Sequence, residues 1–84
     1  MSKSIFTNEY ALFLSLLREA RKAAGLTQEQ VAECLGQTQS FVSKCERGER
    51  RIDLVELRGF CQAIGISLTD FTLHLETSIQ QRSK

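Results

Sequence analysis

Between Gly36 and Gly48 the chain reads QTQSFVSKCER, a stretch rich in groups that donate and accept hydrogen bonds. Thr38 can cap a helix of about residues 39–46, whose first turn is Gln39, Ser40 and Phe41. Only Phe41, Val42 and Cys45 can bury apolar surface there. A helix that turns one thin stripe inward and offers amides, hydroxyls and a lysine outward suits a groove, although the same pattern describes a face that is merely solvated. Bond-breaking chemistry has no such support. The single histidine, His74, has no evident nucleophile partner, and the sequence holds neither a phosphate-cradling glycine loop nor a metal cluster. Cys34, Cys45 and Cys61 are odd in number, contain no CxxC pair and stand in no finger spacing with His74. They read as reduced, small, buried apolar groups. The expectation is a protein that is not an enzyme and needs no cofactor or metal.

The net charge of +1 is a weak argument against a polyanionic partner, but its distribution is not even. The segment from Arg18 to Lys22 carries +2, and residues 37–51 carry +2 from Lys44, Arg47, Arg50 and Arg51 against Glu46 and Glu49. Residues 53–84 sum to −1. A small reader of DNA needs only a few phosphate contacts, and two short basic segments can supply them. No apolar run reaches the roughly 18 residues of a membrane span, and residues 1–10 lack a basic-then-apolar secretory pattern. A cytoplasmic location and no membrane partner are expected.

The elements that must position these groups are punctuated clearly. With 84 residues and no proline, the sequence is expected to form one all-helical domain over 1–84, with its core at about 8–76 and flexible ends at 1–6 and 80–84. Tyr10, Phe13, Leu14, Leu17, Ala20 and Ala24 form a stripe at helical spacing that stops at Gly25. Thr27 and Gln30 make a capping box, flanked by Leu26 and Val31 as a hydrophobic staple, for a short helix of about 28–35 that ends at Gly36. Asp53 and Glu56 open a fourth helix, stapled by Ile52 and Leu57, with Leu57, Phe60, Cys61 and Ile64 inward and Gly65 closing it. Ser67 and Asp70, with Ile66 and Phe71, open a fifth.

The tract QEQVAECLGQTQSFVSKCER changes the standing of the polar helix. Two short helices meet at Gly36, with Ala32 four residues before it and Val42 six after. Ala32 lies where the helices approach closely, and Gly36 supplies the positive φ of a sharp turn. Val31, Leu35, Val42 and Cys45 can form the small core of the hinge. With LREARKAAGLTQEQVAECLG, SFVSKCERGER and LRGFCQAIGISLTDF in this order, the chain resembles the lambda-repressor-like, Cro-type (Xre) helix-turn-helix family over about Leu16 to Leu75.

That resemblance implies a five-helix, all-α, lambda-repressor-like domain that binds double-stranded operator DNA and regulates transcription. It implies that Gln39, Ser40 and Lys44 face base edges, with Thr38 and Ser43 at the groove margin. Glutamine can bond adenine N6 and N7 together, and lysine can donate to guanine O6 and N7. Gln28 would donate to a phosphate and brace the recognition helix, while Arg47, Arg50 and Arg51 would clamp phosphates. Arg21 and Glu46 would form a structural ion pair between the first and third helices. Three positions depart from the family, among them Gln37, which replaces an often apolar or small residue at the turn. Cys45 stands where Tyr, Leu or Ile is usual, and Phe41 is large, so that it either packs inward or touches a thymine methyl.

One module makes few contacts, and family members typically read two half-sites about 34 Å apart. A homodimer on a pseudo-palindromic operator is therefore expected. In the last helix Leu68, Phe71, Leu75 and Ile79 form an inward stripe, Leu73 points elsewhere, and Leu12 and Leu16 lie off the first helix's main stripe. These leftovers suggest an interface built mainly from the last helix, through Phe71, Leu73 and Leu75. Residues 77–84 read as a fraying tail. The family's range leaves a contact with RNA polymerase open, as well as the choice among phage regulators, restriction–modification controllers and other small regulators. The rival reading is an antitoxin or adaptor that uses the same fold to hold a protein partner.

Overall fold

Every helix begins where a side-chain oxygen can take up a backbone N–H. The computed structural model describes residues 7–82, and α1 (Asn8–Ala23) starts behind Thr7, whose hydroxyl accepts from the Tyr10 N–H at 3.0 Å. At α2 (Gln28–Leu35) the expected box is closed in both directions: Thr27 Oγ1 accepts from the Gln30 N–H at 3.1 Å and Gln30 Oε1 from the Thr27 N–H at 2.9 Å. At α3 (Gln39–Arg47) Thr38 accepts from the Phe41 N–H at 3.1 Å. The box at α4 (Leu54–Ile64) pairs Asp53 with Glu56 at 2.7 and 3.0 Å, and Ser67 accepts from the Asp70 N–H at 2.9 Å at the start of α5 (Leu68–Arg82). Five helices and no strand occupy the described residues.

The turn between α2 and α3 follows from Gly36. Its φ of 68° lies in the left-handed region, where a side chain is strained, and the next N–H, of Gln37, donates to the Ala32 carbonyl at 2.9 Å. Ala32 itself is buried, as its small size requires where α2 and α3 cross. α2 also lies close to α4, since a Cβ added at Gly59 would stand 3.3 Å from Leu35 Cδ2. The core that locks these crossings contains Leu17, Val31, Val42, Cys45, Phe60 and Cys61, all fully buried. Phe13 and Phe71 meet edge to face at 5.9 Å and join α1 to α5.

Three sequence expectations change, and Phe71 takes the inward place expected of it. Cys34 is exposed, because Val31, Ala32 and Leu35 fill the inward face of a helix only two turns long. Leu16 is buried and Leu12 half-buried, so α1 is covered over a broader arc than its main stripe suggests. Helix α5 continues to Arg82 instead of fraying from Thr77, with Ile79 half-buried and Gln80 donating to Glu76 at 2.9 Å one turn back. Phe71 belongs to the core of the single chain. The expected flexible segment 1–6 and the last two residues lie outside the described ones.

Candidate nucleic-acid interface

Helix α3 divides its residues sharply. Val42, Cys45 and Glu46 point inward, while Gln39, Ser40 and Lys44 are exposed along one face. Thr38 is exposed at the start of that face, and the half-buried Ser43 accepts a hydrogen bond from Arg47 Nη1. The residues expected to read bases are therefore brought together, with Ser43 already engaged at the margin.

Behind this face runs a chain of polar side chains that begins in the interior. Arg21 and Glu46, only 7% and 4% exposed, are joined by a bidentate pair at 2.7 and 3.1 Å. The guanidinium also donates from Nη1 to the Leu26 carbonyl at 2.8 Å. A buried ion pair holds only if its remaining polar atoms are satisfied, and these are. Glu46 Oε1 also accepts from Gln28 Nε2 at 2.9 Å, and Gln28 Oε1 accepts from Gln39 Nε2 at 2.7 Å. The buried pair thus holds Gln28, and Gln28 holds the first residue of α3. Gln39 keeps its Oε1 and its second N–H, the acceptor and donor that an adenine edge requires.

The arginines differ in their surroundings. Arg47 Nε donates to Glu49 at 2.8 Å on an open surface, a pair that solvent screens and a phosphate can replace. The hydrogen bond from Arg47 lowers the Glu49 carboxyl below its ordinary value. The Arg51 guanidinium lies 4.3 Å from the centroid of the Tyr10 ring, and the Tyr10 hydroxyl accepts from the Ile52 N–H at 3.0 Å. Arg50 is held by Glu56 and lies over Phe41. Phe41 is half-buried and stacks on Phe60, with ring centroids 6.5 Å apart, so its ring is directed toward α4. The sequence reading had no signal for these partners, which meet across a loop or between distant helices. Nor did it single out Leu54 and Val55, which are 66% and 79% exposed on the first turn of α4.

Cys45 and Cys61 are buried, and burial pushes both thiols up, with Arg50 opposing the rise at Cys45. No group of described residues could hold a metal ion, and no described helix is long and apolar enough to cross a membrane.

Two helices set by a tight turn, the second with an exposed hydrogen-bonding face braced from the interior, define a helix-turn-helix protein. The helix-turn-helix family profile matches residues 17–71, and the chain belongs to that family in its Xre form, a family of DNA-binding transcriptional regulators and not of enzymes. An XRE-family-like protein from Pseudomonas syringae pv. tomato has a similar structure, with 47% identity, a TM-score of 0.80 and 83% of this chain and 85% of that one covered. The restriction–modification controller protein C.AhdI from Aeromonas hydrophila is 35% identical, with a TM-score of 0.67, and covers 77% of this chain and 99% of its own. The HTH-type transcriptional regulator y4dJ of Sinorhizobium fredii is 40% identical over 47 residues, which are 56% of this chain and 61% of that relative.

Proposed function

We propose that this protein is a sequence-specific regulator that reads a pseudo-palindromic operator as a homodimer, laying α3 in the major groove. The observation that carries the reading is Gln39. It stands on the exposed face beside Ser40 and Lys44, yet its amide is already oriented through Gln28 by the buried Arg21–Glu46 pair. A surface helix that was merely solvated would have no use for such bracing. Gln28 retains one N–H for a phosphate, and Arg47 and Arg51 flank the helix as further phosphate ligands. The dimer is supported by Leu73, 64% exposed on α5, with the half-buried Leu75 beyond it. Such a protein acts on the chromosome in the cytoplasm, and a polymerase contact would decide whether it activates or represses.

Selection from random duplex DNA tests this directly. Two related half-sites with centres about 34 Å apart along the duplex are expected. Absence of any enriched sequence would overturn the function. A single enriched half-site, together with a monomer in sedimentation at tens of micromolar both free and on DNA, would overturn the dimer.

A further inference from the structure

The loop between α3 and α4 holds a polar assembly that the reading face does not itself account for. Arg50 Nη1 and Nη2 donate to Glu56 Oε1 and Oε2 at 2.9 and 2.8 Å, and Nη1 also donates to the Arg51 carbonyl at 3.0 Å. The guanidinium carbon lies 4.9 Å from the centroid of the Phe41 ring, and that ring stacks on Phe60 at an interplanar angle of 14°. Glu56 is at the same time the capping partner of α4, accepting from the Asp53 N–H at 3.0 Å. One loop side chain therefore joins α3, the loop and the first turn of α4.

We propose that Arg50 is a positioning residue for base readout and not a phosphate ligand: through Glu56 and Phe41 it fixes the turn of α3 that carries Gln39 and Ser40. The inference rests on the DNA-reading function proposed above. Phe41 follows Ser40 directly, so any displacement of its ring is passed along one turn of helix to the reading groups. Hydrogen bonds to base edges tolerate little displacement. A guanidinium set over a ring and forked to a carboxylate has its direction set and its charge met locally. Lysine has neither the plane nor the fork and cannot reproduce this arrangement. Arg47 is different, because its exposed partner Glu49 is only two residues away and restrains no other helix.

The test compares the whole protein with Arg50→Lys and Glu56→Gln, on the selected operator and on a random duplex, over a range of salt. Thermal unfolding checks that each variant is folded. Glu56→Gln keeps an amide oxygen for the Asp53 N–H, so the capping box survives even if Arg50→Lys is unstable. Both variants are expected to lose about tenfold of the preference for operator over random duplex. Neither should change the slope of log affinity against log salt. A phosphate-ligand role predicts another pattern: Arg50→Lys close to the wild type, and Glu56→Gln, with its guanidinium released, binding operator and random duplex more tightly by the same factor, so that the preference is unchanged. That pattern, or variants that keep the wild-type preference, would overturn the role of Arg50. A wild type that prefers no sequence would instead overturn the DNA-reading function.

Discussion

An amide oriented before contact loses less conformational freedom on meeting a base, and the orientation of Gln39 reaches back to a buried charge. Gln39 is tied to Gln28, Gln28 to Glu46, and Glu46 to Arg21. Removing one partner of a buried ion pair leaves the other uncompensated, at a cost of about 3–5 kcal/mol. Glu46→Ala should therefore lower the free energy of unfolding by about that amount in a denaturant titration. A loss below about 1 kcal/mol would mean that the pair is not a structural link. The exposed face of α3, proposed to read bases, should respond differently. Gln39→Ala and Lys44→Ala should each lose about 1–3 kcal/mol of discrimination at particular base pairs, measured by competition between operator variants. Arg51→Ala should instead weaken binding to all duplexes and reduce the salt slope by about 0.9. Equal losses on every duplex for Lys44→Ala would remove α3 from the groove. The resemblance made the Arg21–Glu46 pair legible, and it named Gln39, Ser40 and Lys44, which share one exposed face of α3. It gave the same phosphate role to Arg47, Arg50 and Arg51, because sequence shows the charge of an arginine and not what lies against it.

At the scale of the helix, what can be read locally proved reliable. A capping box joins residues three apart, a staple joins residues five apart, and a closing glycine adjoins the last turn, so Thr27–Gln30, Asp53–Glu56 and Gly36 all lie within a few residues of the features they control. Contacts between elements leave no such trace. The stacking of Phe41 on Phe60 spans nineteen positions, and the cover over Leu16 comes from the assembled helices. Helix α5 shows the same limit, since nothing between Thr77 and Arg82 breaks a helix and only tertiary cover at Ile79 distinguishes it from a tail. The Arg50–Glu56 link makes a pH prediction at this scale. Hydrogen bonds from Arg50, and then from the Asp53 N–H, lower the Glu56 carboxyl below its ordinary range. A depressed folded value adds stability that is fully present above the unfolded carboxylate value, about 4.3, and is lost as pH falls through the folded one. The difference in Tm between wild type and Glu56→Gln should thus hold steady from neutral pH to about 5 and shrink in stronger acid. A difference that did not change in acid would mean that the charge on Glu56 contributes nothing to the loop.

For the whole molecule, the near-neutral charge sets how the protein must work. With a net charge of +1, long-range attraction to DNA is modest, and on the proposed reading base contacts repeated in two half-sites would supply much of the selectivity. The proposed dimer would then be required for affinity, and the surface of α5 is where its loss can be separated from misfolding. Phe71 is committed to the interior against Phe13, and Leu75 is half-buried, so neither can be altered without disturbing the single chain. Leu73 can. It lies 64% exposed on α5, and a substitution at such a position changes stability by only about 0.5 kcal/mol. Leu73→Lys should leave Tm nearly unchanged while shifting the sedimenting species to a monomer. Operator affinity should fall steeply, because each half-site would then be held alone. Binding to an isolated half-site should stay as it was, which separates loss of the dimer from damage to α3. A Leu73→Lys protein that remained dimeric with full operator affinity would move the interface away from this face of α5, and the exposed Leu54 and Val55 on α4 would become the surface to test next.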